Sequence, residues 1–229
     1  METVKYDIIG LAEVRRQGEA IDEYKDYILC YKGETPGRFG VGFLLKKHMK
    51  KYLENFEGIS ERLAVLNLSF EDYQLSIIQV YAPTEAASDD QIHQFYETLN
   101  SVVAKAHKNI IIMGDFNAKI GKGQPEEKLL IKNHGYGTRN ERGETLVKFA
   151  FENKLSVLNT YYKKRPSCKW TWRSPNGKIK NEIDYILSNQ PTMFLNVEVL
   201  NINYPQTTGW SGQQSEYKEP KRAEAISTT

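Results

Sequence analysis

Cysteine is scarce: Cys30 and Cys168 are the only two in the chain. That excludes a disulfide framework and a four-ligand thiolate zinc site. No apolar run approaches the roughly 18–20 residues that a membrane-spanning helix needs. The opening residues Met1 to Asp7 carry no basic region followed by a small-residue cleavage site, so a secretory signal is not expected. Neither sign of charge dominates, since 31 Lys+Arg stand against 29 Asp+Glu and leave a net charge of +2. A simple polybasic nucleic-acid binder is therefore excluded, and any positive surface must be local. Histidine is also rare. His48, His93, His107 and His134 read as satisfied surface residues, with His107 at the C-terminal end of a helix, where a cation is favoured.

What is present fits one folded domain over residues 1–204 and a tail over 205–229. The tail offers only Trp210, Tyr217, Ala223, Ala225 and Ile226 as apolar residues. So little burial cannot offset the entropy of ordering, and a disordered tail is expected. Within the domain, short apolar runs read as strands over 7–14, 39–46, 61–70, 74–82 and 109–113, then 155–160, 169–173, 182–187 and 195–200. Pro175-Asn176-Gly177 marks a turn between the runs on either side of it. One helix starts at Ser88, with Gln91 placed to complete a capping box. Ile92, Phe95, Tyr96, Leu99, Val102, Val103 and Ala106 form its apolar face. A second starts near Asn140 and buries Leu146, Phe149 and Ala150. Many strands with few helices imply sheet-on-sheet packing with helices outside.

The informative residues are polar ones at the ends of apolar strands. Ile110-Ile111-Ile112-Met113 stops at Gly114-Asp115-Phe116-Asn117. Asp115 and Asn117 are two apart and point the same way in an extended stretch. An acid and an amide converging there suit a hard cation and a phosphate oxygen. Gly, Asp and Asn are equally the residues of a plain turn. Glu13, Tyr81 and Asp184 sit at or inside similar apolar runs. Each alone reads as a solvated strand-end group, but a carboxylate in a run as apolar as 182–187 is costly unless paired or metal-bound. The stretch 161–180 is different in kind. Lys163, Lys164, Arg165, Lys169, Arg173, Lys178 and Lys180 occur there with no acid, interleaved with Tyr161, Tyr162, Trp170 and Trp172. Basic side chains neutralise phosphates while aromatic rings stack on bases. Core packing of the two tryptophans fits the same pattern. Lys46, Lys47, Lys50 and Lys51 read as a solvated loop.

Taken in order, DIIGLAEVR (7–15), GVGFLL (40–45), VYAPT (80–84), IMGDFNAKIG (112–121), NERG (140–143), TWRSPNGK (171–178) and IDYIL (183–187) resemble the endonuclease/exonuclease/phosphatase superfamily, the deoxyribonuclease I-like fold. The likeness extends to endonuclease domains of RTE-like non-LTR retrotransposons and of craniofacial-development-protein-like genes. It implies a four-layer α/β/β/α sandwich that hydrolyses phosphodiesters with Mg2+, Mn2+ being an alternative. It implies Glu13 and Asp115 as metal ligands. Asp115 would also activate water, Asn117 would bind phosphate, Tyr81 would donate to a phosphate oxygen, and Asp184 would support the network. Arg62 is expected in a structural ion pair. The retrotransposon-like motifs, rather than the charge, choose DNA as partner, with Lys163, Lys164, Arg165, Lys169, Arg173 and Lys178 as its contacts. A nuclear monomer with no membrane and no organic cofactor is the corresponding expectation.

Two departures matter. The resemblance implies a first strand bearing an Asn and a closing strand introduced by Ser-Asp-His, and neither is found in this sequence. The expected fold is thus the sandwich without its first and last strands, leaving sheet edges exposed. Loss of part of a cooperating catalytic set points to a weak nuclease, or to an inactive remnant that at most binds nucleic acid.

Overall fold

A computed structural model describes residues 5–200 and the backbone of 224–226. Along the chain run β1 (Ile8–Ala12), β2 (Gly18–Glu23), β3 (Tyr27–Gly33), β4 (Val41–Lys46), β5 (Leu53–Ser60), β6 (Leu63–Phe70) and β7 (Tyr73–Tyr81). Helix α1 (Asp89–Lys105), β8 (Asn109–Asp115), helix α2 (Glu141–Glu152) and β9 (Ser156–Val157) follow. β10 (Trp172–Arg173), β11 (Lys180–Asn181), β12 (Asp184–Ser188) and β13 (Glu224–Ile226) complete the order. Two large sheets form. One has the order β13-β1-β4-β3-β2 and the other β5-β6-β7-β8-β12-β9. Among the described residues the only parallel neighbours are β7 and β8, because α1 carries the chain back across the sheet between them.

The apolar residues that alternate along each strand divide between two interfaces. Ile8, Phe43 and Leu45 of the first sheet meet Leu66, Ile77, Ile111 and Met113 of the second. The opposite face of the second sheet, with Val65, Ile78, Val80 and Ile112, packs on Phe95 and Leu99 of α1 and Leu146 and Phe149 of α2. Both helices start where their caps lie. Ser88 and Gln91 exchange hydrogen bonds in a capping box. The Asn140 side chain accepts from the Gly143 N–H and also from the Lys119 N–H, both at 2.9 Å.

Several expectations change. The 155–160 and 169–173 runs are strands only over Ser156–Val157 and Trp172–Arg173, with Leu158–Thr160 in a 3-10 turn. The described residues form a sheet, a sheet and a helical layer, and no α-helix among them covers the outer face of the first sheet, where Ile9, Leu29 and Leu44 cluster with Tyr27 and Tyr31. The fourth layer of the sandwich is thus not found there. The 195–200 run is not a strand, and Leu195 is 84% exposed. The edge of β1, expected to be bare, pairs with β13. Apart from those three residues, the 205–229 tail lies outside the described residues. β2, β3 and β5 are additions to the sequence reading.

Candidate active site

The site gathers where β7 and β8 end, beside the turn that follows β1. Gly114 is essential to that ending. Its φ is 134°, and a Cβ there would lie 2.1 Å from the Val80 carbonyl oxygen, so only glycine lets β8 lie this close to β7. Asp115 is buried, and its carbonyl accepts from the Ala82 N–H at 2.7 Å. Asn117 does not continue the strand. Its φ is 48°, and its backbone N–H donates to Asp115 Oδ1 at 2.8 Å. Its side-chain amide donates to the Ala82 carbonyl at 2.8 Å. The extended pair expected from spacing is thus replaced by an Asx-type turn, in which the Asp115 carboxylate accepts from the Asn117 backbone and the Asn117 amide is anchored on Ala82.

Glu13 is also held by a turn. Its φ is 57°, and the next two N–H groups, of Val14 and Arg15, donate to the Gly40 and Phe39 carbonyls. The carboxylate accepts from the Tyr81 hydroxyl at 3.0 Å and from Arg15 at 2.7 Å. Tyr81 stands level with Asp115 in the parallel register of β7 and β8. Burial raises the Tyr81 pKa, and the Glu13 charge, its hydrogen bond and Asp115 raise it further, against a smaller pull from Arg62. The phenol therefore stays protonated and acts as a donor. Arg62, expected in an ion pair, lays its guanidinium over the Phe39 and Tyr81 rings and donates to the Tyr81 carbonyl at 3.2 Å.

Asp184 faces Asp115 from β12, paired with it in antiparallel register. Its N–H and that of Ile183 both donate to Thr171 Oγ1. Its carbonyl accepts from the Asn159 amide at 3.0 Å. The alternation expected here holds: Ile183, Tyr185 and Leu187 are buried, and Tyr185 and Leu187 join the helix-side core. The structure thus brings Glu13, Tyr81, Asp115, Asn117 and Asp184 to one edge.

Sequence reasoning missed Glu182. It is 3% exposed and accepts from the Tyr136 N–H and the Asn159 amide. Burial raises its pKa to about 7, against the pull of those two bonds and of Lys169. A charged residue in so apolar a run was the available signal. Asn159 was missed because it lies in a short 3-10 turn that sequence periodicity does not mark.

The basic stretch divides. Lys163, Arg165, Arg173 and Lys178 are exposed, and Lys164 pairs with Glu198 at 3.1 Å. Lys169 stands apart. It is 9% exposed, its ammonium donates to the His134 carbonyl, and burial lowers its pKa. It therefore faces Glu182 and the interior rather than a surface ligand. Trp170 and Trp172 are half-buried, with Lys180 over the Trp170 ring.

No group of three or more His, Cys, Asp or Glu side chains able to hold a metal occurs among the described residues. A hard divalent cation needs less than that. Magnesium takes one or two carboxylates, with water and substrate phosphate filling the remaining positions. The chemistry of the donors fits: Glu13 and Asp115 are both carboxylates, and both act on the Tyr81 phenol. Among the described residues no helix is long and apolar enough to cross a membrane.

Two face-packed sheets with acids, an amide and a phenol at one strand edge define the deoxyribonuclease I-like class of fold. The chain belongs to the endonuclease/exonuclease/phosphatase family, whose model matches residues 1–207, a family of metal-dependent phosphodiesterases. It is 30% identical over 193 residues to craniofacial development protein 2 of Bos taurus, a match covering 83% of this chain and 32% of that one. The chain thus spans about a third of the length of that relative. In fold it is similar to the endonuclease domain of TRAS1, a telomere-specific non-LTR retrotransposon, with a TM-score of 0.54 and 13% identity over 82% of this chain and 74% of the other. It is likewise similar to the AP endonuclease LMAP from Leishmania major, with a TM-score of 0.60 and 12% identity over 81% and 70%.

Proposed function

We propose that this domain hydrolyses phosphodiester bonds in DNA with Mg2+, or Mn2+ in its place. The observation that carries the reading is the hydrogen-bonded set of Glu13 with Tyr81 and Asp115 with Asn117, at one edge of the packed sheets. The cation would be held by Glu13 and Asp115, and when bound it supplies positive charge to the anionic phosphate oxygens. Asp115 takes a proton from water, whose oxygen bonds to phosphorus as the P–O ester bond breaks and the leaving oxygen is protonated by solvent. Asn117 orients the phosphate. Tyr81, kept protonated, donates to a non-bridging oxygen as its charge grows. Asp184 supports Asp115 from the adjacent strand. The exposed Lys163, Arg165, Arg173 and Lys178, with the part-buried Lys164, track the DNA backbone. TRAS1 is named as a retrotransposon endonuclease, which favours DNA as substrate and the nucleus as the place of action. The domain is proposed to act as a monomer.

A second reading is DNA binding without cleavage. The positions of three histidines favour it, with His48 beside Asp7, His93 beside Glu97 and His107 beside Glu54. One experiment separates the two. The full chain is incubated with supercoiled plasmid and Mg2+, beside Asp115→Ala. Nicking that Asp115→Ala abolishes supports hydrolysis. Plasmid retardation in EDTA with no Asp115-dependent nicking establishes the binding reading.

A further inference from the structure

We propose that Arg62 is a positioning residue for the Tyr81–Glu13 pair, holding together the two sheets that supply it. The inference rests on the site reading above only in so far as that pair serves a metal and a phosphate.

Tyr81 belongs to the second sheet, and Glu13 follows a strand of the first. Their hydrogen bond therefore spans the gap between the sheets, and something must fix that gap. The turn between β5 and β6 does so on both sides. On the Tyr81 side, the Arg62 carbonyl accepts from the Tyr81 N–H at 2.9 Å, and the Arg62 guanidinium donates to the Tyr81 carbonyl at 3.2 Å. On the Glu13 side, the Glu61 carbonyl accepts from the Gly40 N–H at 3.0 Å. Glu61 Oε2 accepts from the Thr35 N–H at 2.9 Å. Gly40 and Phe39 in turn receive the N–H groups of Val14 and Arg15, which set the turn carrying Glu13.

The guanidinium closes this frame. Its carbon lies 4.5 Å from the Phe39 ring centroid and 5.3 Å from that of Tyr81. The two rings are themselves 6.1 Å apart and tilted by 45°. One planar cation thus covers the Tyr81 ring of the second sheet and the Phe39 ring of the loop that leads into β4 of the first, an attraction that strengthens as the cation loses water. Phe39 itself has a φ of 51°, a conformation that a bulky residue holds only where its surroundings enforce it. Arg62 supplies part of that enforcement. Its role in the pair is exerted through Phe39 and Tyr81.

The test uses the full chain labelled with 3-fluorotyrosine and read by fluorine NMR, with the Tyr81 line assigned by its loss in Tyr81→Phe. The parent is expected to show one sharp Tyr81 line that moves on adding Mg2+. Arg62→Leu is expected to shift and broaden that line before any metal is added, and to reduce its response to Mg2+ several-fold. Arg62→Lys, which keeps a cation over the rings, is expected to restore most of the line shape. If Arg62→Leu does not fold, Phe39→Leu takes its place, because it removes one face of the stack and leaves the Arg62–Tyr81 carbonyl bond. An unaltered Tyr81 line in both Arg62→Leu and Phe39→Leu overturns the proposal. A parent line that ignores Mg2+ overturns the metal reading instead, while the metal-free shift in Arg62→Leu still decides the role of Arg62.

Discussion

Asp184 and Asp115 are directly opposed across the antiparallel register of β12 and β8. Opposed residues put their side chains on one face of a sheet with Cβ atoms about 4.5–5.5 Å apart. Two carboxylates so placed repel, a cost that the proposed function would account for. Asp184→Asn keeps the shape and removes one charge. We predict a gain of about 0.5–1 kcal/mol in stability, or a melting temperature higher by about 1–4 °C. Any Asp115-dependent nicking should fall in the same variant. A lower melting temperature in Asp184→Asn contradicts this account.

Tyr81→Phe deletes one hydroxyl and nothing else. The Glu13 oxygen it served keeps partial access to water, so the cost in stability should stay near ~1 kcal/mol. The phosphate loses a preorganised donor, for which about a 10²-fold fall in rate is expected. Single-turnover cleavage of a labelled duplex, with thermal melting alongside, measures both. Equal nicking rates in parent and variant would remove Tyr81 from the proposed machinery.

Glu182 gives the stability of the domain a pH dependence. Its pKa in the fold is about 7, above the ordinary 4.5. The folded chain therefore takes up this proton before the unfolded chain does. The resulting stabilisation is complete below about pH 4.5 and is lost as pH rises through 7, amounting to at most a few kcal/mol. Melting temperatures of the parent should accordingly fall between pH 5 and pH 8 more than those of Glu182→Gln. Parallel curves for the two proteins would show that Glu182 is not the titrating group.

Lys169 and Lys178 both belong to the basic stretch but should respond differently to neutralisation. Lys178→Gln removes an exposed charge and should lower the salt slope of DNA binding by about 0.9, leaving stability unchanged. Lys169→Gln removes the donor to the His134 carbonyl and the cation nearest Glu182. It should cost about 1–3 kcal/mol of stability and leave the salt slope as it was. Fluorescence anisotropy at several salt concentrations, paired with melting curves, makes the comparison. A reduced slope in a stable Lys169→Gln would return that residue to the DNA contacts.

Asn140 should matter beyond its helix. Its oxygen accepts two N–H groups, one from α2 and one from Lys119 in the segment leaving Asn117. Asn140→Ala leaves both without that partner, for an expected loss of about 1–2 kcal/mol. Asn140→Asp, which keeps the acceptor, should recover most of it. Denaturant unfolding of the three proteins decides, and equal losses in Ala and Asp variants would rule out the acceptor role.

Much of this organisation was legible in the residues themselves, and the misses share physical causes. Apolar runs such as Ile110–Met113, and caps such as Ser88 with Gln91, are local signals, and the structure follows them. β2 escaped notice because it is an exposed edge strand whose only apolar residues are Ala20 and Ile21. The 195–200 run looked like a strand because local pattern cannot say whether a partner edge exists. At the site, the ends of β7 and β8 could be placed. The left-handed turns at Glu13 and Asn117 could not, since nothing in those residue types demands a positive φ. Arg62 was read as an ion-pairing residue because the aromatic pair it covers is assembled only by tertiary packing. Lys169 was grouped with its neighbours by sequence, yet its environment is set by His134 and Glu182 from elsewhere in the chain.

The parallel pairing of β7 beside β8 bears on the order in which the domain assembles. Tyr81 and Asp115 end neighbouring strands, but the chain between them must first form α1 and fold it back across the sheet. Hairpins such as β6 with β7 close over short loops, whereas this pairing waits on a longer closure. The edge proposed as the active site is therefore expected to mature late in folding, after the meander from β5 to β7 is in place.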